Sequence, residues 1–467
     1  MMERHITRFL FLSYLTVTNG FFNFSPRTQL PRQTFLHSTN SVAETPSWDE
    51  LSSLLEQDSS PTPSPILTLY RDTNGWCPFC ERVWLALEIK GIPYKESLIN
   101  LQNKPDWFLE MVPTGLVPAV MFYDEKTTNS VGDDNAKPQR TLIWESLDIM
   151  KALDELFPDT EKLILDDLPK YKEGEEIISR LSTAGFQYLY SGRNDTLTEE
   201  DKKQLKLNFQ TTLDEFDAFI ASNEGGPFIL GSKVSGIDVQ IIPAMERLRY
   251  QLPITVDMNI MEGRPNLQKW FEEGMDTLGA YANRVAGDKY SWTAVSSFFL
   301  KVFSSKGPNG EVSSETAVAI KRSDESAAAL VKGFSEEPTY TVTKGSTLSK
   351  EEITRSAVSK IIANHDNVIK DCTSSDPKTQ TNLKRANSSD SADIALRAVA
   401  MNLLNEGEGE TSYPSFESTE DALDAAVAMK TIAQRLCVPR DMGGPSAAVL
   451  RKTLMAVAEC IESDAKA

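Results

Sequence analysis

Cys77-Pro78-Phe79-Cys80 follows the apolar run Ile66-Leu67-Thr68-Leu69-Tyr70 and opens the amphipathic stretch Glu81-Arg82-Val83-Trp84-Leu85-Ala86-Leu87-Glu88-Ile89. The pattern predicts a strand, a turn, and a helix that begins on a cysteine. The unpaired amides and positive end of a helix stabilise a thiolate there, so the arrangement suits a reactive thiol. Pro78 fits the first helical turn, where its missing donor is not needed. The two sulfurs, three residues apart, face the same side of the helix, which permits a reversible dithiol. A small buried cysteine one turn into a helix is also an ordinary core residue, so a resolving role for Cys80 stays open.

Two other uses of such a pair are a zinc site and plain buried cysteines. Zinc needs two more ligands. Cys372, Cys437 and Cys460 are distant and isolated, and of three histidines only His365 lies beyond the N-terminal leader that contains His5 and His37. No metal is therefore expected. The histidine shortage also removes a Ser-His-Asp or Cys-His arrangement around Cys77, which leaves helix-end electrostatics to activate the thiol.

Downstream, Gly91-Ile92-Pro93 ends the helix and Tyr94-Lys95-Glu96-Ser97-Leu98-Ile99 reads as a strand parallel to the first. A short helix over Lys104-Pro105-Asp106-Trp107-Phe108-Leu109-Glu110 follows. Next comes a loop with Pro113 and Pro118 leading into the strand Ala119-Val120-Met121-Phe122. A proline at a strand start can hold a cis bond. The polar residues Asp124 to Gln139 read as a long hairpin loop before the strand Thr141-Leu142-Ile143, with Glu145-Ser146 opening the next helix.

Cys77-Pro78-Phe79, Lys104-Pro105-Asp106-Trp107-Phe108, Gly115-Leu116-Val117-Pro118 and Trp144-Glu145-Ser146, in this order, resemble the thioredoxin-like half of cysteine-type glutathione transferases, the omega class in particular. The resemblance implies a glutathione-dependent thiol transferase or reductase in which Cys77 forms a mixed disulfide with glutathione, the co-substrate. It implies that Val117 pairs its backbone with the tripeptide, that Pro118 is cis, that Glu145 and Ser146 hold the γ-glutamyl end and that Lys104 faces the glycyl carboxylate. Phe79 joins the glutathione-binding set. Ser146 at a helix start can offer donors to a carboxylate, and Glu145 can accept from an ammonium; a plain helix cap is the alternative. Cys80 departs from the omega pattern and resembles glutaredoxins, which leaves the one-cysteine route open. The second substrate implied is a small electrophile, dehydroascorbate-like, or a protein mixed disulfide. Glutathione conjugation and a non-catalytic binding module are the rival functions, and transferases of this shape are commonly homodimers.

From residue 159 the pattern turns helical, with apolar residues at three-to-four spacing in Glu175 to Leu181 and Leu205 to Phe216. Ser235-Gly236-Ile237-Asp238 forms a capping box ahead of an apolar helix, a structural role for Asp238. It resembles the motif that nucleates the helical domain of glutathione transferases, and Pro265 to Phe271 fits a late helix of that domain. Residues 300–467 lie outside the resemblance. Helical stretches at Ser349 to Ile369, Ser391 to Leu404, Thr419 to Leu436 and Ser446 to Ile461 predict a small bundle, with Cys437 to Pro445 as a turn between two helices.

The chain of 467 residues thus reads as a targeting presequence (1–45), a thioredoxin-like α/β domain (46–158), an all-α transferase domain (159–299) and a helical extension without assigned chemistry (300–467). Residues 9–15 are apolar behind Arg4 and Arg8, the layout of a secretory signal; residues 21–43 contain no acid and resemble a transit peptide. The pair resembles the two-part plastid presequence of algae with extra plastid membranes, against a mitochondrial presequence or a cytoplasmic protein with a loose tail. Five cysteines in so long a chain make no disulfide framework. A net charge of −19 argues against nucleic acid as a partner, and no stretch long enough to span a membrane points to one.

Overall fold

The computed structural model describes residues 45–57, 63–123, 140–191, 194, 196–223, 225–307, 309–336, 344–373, 383–405 and 411–466. The expected presequence and the polar loop expected at 124–139 lie outside the described residues. The chain divides into two compact units. One holds residues 63–281 and 287–329; the other holds 45–57, 282–286 and the described residues from 330 onward.

Helix α1 (Trp48–Gln57) belongs to the second unit. The first unit starts with strand β1 (Leu67–Asp72), buried along nearly its whole length as a strand covered on both faces must be. Helix α2 (Pro78–Lys90) follows, with Pro78 in the first turn and Gly91 closing it in the left-handed region at φ 61°, where glycine carries no Cβ penalty. Lys90 in the last turn donates to Thr160 Oγ1 and the Glu161 carbonyl and pairs with Asp154 at 2.8 Å. That cation sits where the helix dipole favours it and clamps the helix end to the segment after the sheet.

Strand β2 (Tyr94–Ile99), helix α3 (Asp106–Met111), strands β3 (Ala119–Tyr123) and β4 (Arg140–Trp144) and helix α4 (Ser146–Leu156) complete the α/β part. The sheet order is β2-β1-β3-β4, with β2 parallel to β1 and the two other pairings antiparallel. Register fixes what meets at one end of the sheet. Asp72 closes β1 opposite Ile99, which closes β2; Tyr70 lies opposite Ala119, which opens β3; Ala119 lies opposite Trp144, which closes β4. The segments carrying Cys77, Lys104, Pro118 and Glu145 all leave the sheet there.

The helical part contains α5 (Pro169–Ser191), α6 (Glu199–Ala221), α7 (Gly236–Thr255), the short α8 (Pro265–Lys269), α9 (Lys289–Phe303) and α10 (Ser314–Val331). Helix α7 is buried on all sides from Gly236 to Leu248, the signature of a central helix. Asp238 anchors it: its carboxylate accepts from the Ser235 amide and hydroxyl, the Ile229 amide and Trp270 Nε1. The capping residue is structural, as its spacing predicted. The first unit is thus a thioredoxin-like α/β domain followed by an all-α domain, and the extra helices come after it.

The second unit comprises α1, α11 (Lys350–Thr373), α12 (Ser389–Leu404), α13 (Thr419–Arg435) and α14 (Gly444–Asp464). Its core is rich in alanine, with Ala392, Ala395, Ala425, Ala426 and Ala458 packed among Leu396, Val399, Leu454 and Val457. Small side chains let helices approach closely. Leu51 of α1 is buried in this core, Trp48 donates to Asp393 and stacks on His365, and Arg397 donates to the Thr45 and Pro46 carbonyls. Far along the chain from this helix, Asp393 accepts from Trp48 Nε1 and Arg355 donates to the Leu55 carbonyl. Among the described residues, no helix is long and apolar enough to cross a membrane.

Candidate active site

Cys77 is the N-cap of α2, in extended backbone, and its sulfur accepts from the Cys80 amide at 3.5 Å. An orphan amide of the first turn thus points at the sulfur. Cys77, Cys80 and Val117 belong to one apolar cluster with Ile99, Phe108, Val112 and Ala119, and Phe79 packs against it. Burial pushes the Cys80 thiol well above its ordinary pKa, and the neighbouring Cys77 and Asp72 push it further. Asp72, at the end of β1, is the participant the sequence reading missed. It is buried; one carboxylate oxygen accepts from the Trp76 amide at 2.8 Å, and the other, Oδ1, has no hydrogen-bond partner. Ligand atoms of Asp72, Cys77 and Cys80 lie within 4.8 Å of one another.

The helical domain holds the cysteine loop through Arg247 of α7. Its guanidinium donates to the Trp76 carbonyl at 2.9 Å, immediately before Cys77, and to Glu81 of α2 at 2.7 Å, and it lies over the Trp292 ring. Glu246 accepts from Tyr281 and the Gly287 amide. Burial raises the Glu81 carboxyl despite the attraction of Arg247; burial and then Glu81 raise Glu246 well above its ordinary value. Two buried carboxylates therefore sit beside one guanidinium, each with one oxygen left unbonded, Glu81 Oε1 and Glu246 Oε2. Trp76 itself packs edge-on to Phe299 and against Phe298, so α9 walls the loop with aromatic rings.

Val117 and Pro118 are buried, and the bond between them is cis. Glu145 is exposed, with φ at 73°, a strained value for a residue with a Cβ, and it makes no side-chain cap. Ser146 opens α4 and is buried. Through the Ala119–Trp144 pairing, Pro118 and Glu145 stand beside each other at the sheet end. Lys104 is partly buried, and burial lowers its pKa. It leaves the sheet at the same end through β2, without a register partner of its own. The other cysteines stand apart: Cys372 and Cys437 are buried in the second unit, and burial raises the Cys372 thiol to about 12.

Fold and site together define a cysteine-bearing thioredoxin-like domain joined to an all-α domain. Residues 76–156 match the family described as glutathione S-transferase, N-terminal domain, and residues 200–273 match its C-terminal domain. The chain is 30% identical over 239 residues to glutathione S-transferase L2, chloroplastic, of Arabidopsis thaliana, covering 50% of this chain and 72% of that protein. It is 30% identical over 202 residues to probable glutathione S-transferase DHAR1, cytosolic, of Oryza sativa subsp. japonica, covering 43% and 80%. Against glutathione S-transferase DHAR3, chloroplastic, of Arabidopsis thaliana it is also 30% identical, but the match spans 65% of that protein's length, just under two thirds. Among solved structures, the Chlamydomonas reinhardtii dehydroascorbate reductase matches at 22% identity and a TM-score of 0.37, over 46% of this chain and 90% of that one. The chain belongs to the glutathione S-transferase family. Residues 300–467 lie outside both domain matches.

Proposed function

We propose that the protein is a glutathione-dependent thiol transferase or reductase of the cysteine type, omega-like in its route. The observation that carries this reading is a cysteine, not a hydroxyl, at the N-cap of α2, with a helix amide on its sulfur. The Cys77 thiolate attacks the sulfur of a glutathionyl disulfide; the new bond is the Cys77 mixed disulfide, and the released thiolate takes a proton from solvent. A second glutathione thiolate, or Cys80, then attacks that disulfide, yielding oxidised glutathione or a Cys77–Cys80 disulfide with free glutathione. Val117, Pro118, Glu145 and Ser146 hold the tripeptide from the sheet end, with Phe79 and Lys104 on its flanks. The strained Glu145, whose side chain makes no cap hydrogen bond, favours a ligand over a plain cap. Relatives named glutathione S-transferase support the use of glutathione.

Conjugation to an electrophile ranks second, because it works best with a hydroxyl where Cys77 stands. A binding module ranks third, because the cysteine and Glu145-Ser146 are retained. The localisation we propose is the plastid; related proteins carry both chloroplastic and cytosolic in their names. An activity panel on the full chain tests the function, with a glutathione mixed disulfide, dehydroascorbate and a chlorinated aromatic as substrates. Turnover of the first two is expected; turnover of the aromatic alone overturns the reading.

A further inference from the structure

We infer that Asp72, Cys77 and Cys80 form a binding site for one borderline-to-soft divalent cation, Zn2+ in class, which closes the thiol site reversibly. Counted along the sequence, the cysteine pair is two ligands short of a zinc site. The fold supplies a third from the end of β1. The two sulfurs and a carboxylate oxygen of Asp72 lie within 4.8 Å of one another, all on buried residues. Zinc holds thiolate sulfur at about 2.3 Å and carboxylate oxygen at about 2.0–2.2 Å in a tetrahedron, which places its ligand atoms about 3.4–3.8 Å apart. Small side-chain adjustments close that difference.

A second, independent observation points the same way. Asp72 is buried, yet Oδ1 has no hydrogen-bond partner, while the Trp76 amide holds the other oxygen. A carboxylate fixed through one oxygen and vacant at the other is how an outer-shell hydrogen bond orients a metal ligand. An unsatisfied buried carboxylate oxygen is otherwise unfavourable. A dication also offsets two of the three negative charges of two thiolates and a carboxylate, which burial would not tolerate together without it. Both cysteines are free thiols, and among the described residues no other group of three Cys, His, Asp or Glu ligand atoms lies so close.

Three protein ligands leave the fourth position open to water or an incoming thiol. Binding forms two metal–sulfur bonds and one metal–oxygen bond, and the thiol proton of Cys80, with that of any Cys77 still protonated, passes to solvent, with no change of oxidation state. While the ion is bound, Cys77 has no free sulfur with which to attack.

The test uses the full, reduced chain without glutathione, so its result stands apart from that of the proposed function. Cd2+ is titrated by its ultraviolet thiolate charge-transfer band, and Zn2+ by competition with a chromogenic chelator. One ion per chain is expected, and mass spectrometry should find Cys77 and Cys80 shielded from alkylation by Zn2+ while Cys372, Cys437 and Cys460 react as in its absence. Asp72→Asn, checked for folding by circular dichroism, should weaken binding by at least the about 10–100-fold that loss of even an outer-shell partner costs. Shielding of other cysteines, no stoichiometric binding, or wild-type affinity in folded Asp72→Asn overturns the proposal; if that variant does not fold, the shielding map on the unmutated chain decides.

Discussion

Arg247→Met should uncouple the cysteine loop from the helical domain, at a loss of stability that can be worked from the contacts. The guanidinium is buried, bonds Glu81 at 2.7 Å and holds the Trp76 carbonyl at 2.9 Å. Removing one partner of a buried ion pair costs about 3–5 kcal/mol, whereas an exposed pair is worth about 0–1 kcal/mol. The freed Trp76 carbonyl adds to the loss, but Glu81, whose carboxyl already lies above its ordinary value, can take a proton and recover part of it. The expected loss is therefore about 3–5 kcal/mol at neutral pH, shrinking in acid as Glu81 protonates. The assay is urea unfolding followed by tryptophan fluorescence, with Glu81→Gln and the double variant completing a cycle. The double variant should be markedly more stable than the sum of the single losses, because the Glu81 charge is no longer left without its partner. A loss below about 1 kcal/mol, the size expected of an exposed pair, would refute the reasoning, as would strict additivity.

Glu246 carries a pH dependence whose sign follows from its burial. Its folded-state carboxyl lies well above the ordinary 4.5, so the folded protein binds more protons than the unfolded chain above that pH; stability falls as pH rises from 4.5 through the raised value, and Glu246→Gln should flatten the decline in Tm against pH. Cys77→Ser should abolish thiol transfer, while Cys80→Ser should retain it with glutathione as resolver; equal damage in steady-state assays would favour the dithiol route. The double change Glu145→Ala, Ser146→Ala should weaken glutathione binding at least about tenfold by isothermal titration with circular dichroism unchanged, since charge-assisted bonds contribute about 1.5–3 kcal/mol each; undiminished affinity would make the pair a helix cap.

The parts of the fold that depend on local pattern were legible from the residues. The apolar run before Cys77, Pro78 in the first turn and Gly91 at the end marked β1 and α2, and three-to-four spacing marked α11 to α14 to within a few residues, though not α10 within the same stretch. What escaped was non-local. Asp72 closes a strand and reads as the start of a polar loop; nothing beside it in sequence says that the loop folds back and buries it against two sulfurs. Arg247 reads as one polar residue in an apolar helix, and its grip on the Trp76 carbonyl spans 171 positions. Helix α1 shows an apolar face but not its partner, which the chain reaches only with α11 and α12.

The central claim is that Cys77 carries glutathione as a mixed disulfide. Intact-mass and peptide-mapping spectrometry of the full chain after exposure to oxidised glutathione tests it most directly. The account predicts one glutathionyl adduct, mapped to Cys77 in Cys80→Ser and reversed by excess reduced glutathione. An adduct confined to Cys372, Cys437 or Cys460, or no adduct at all, would contradict it.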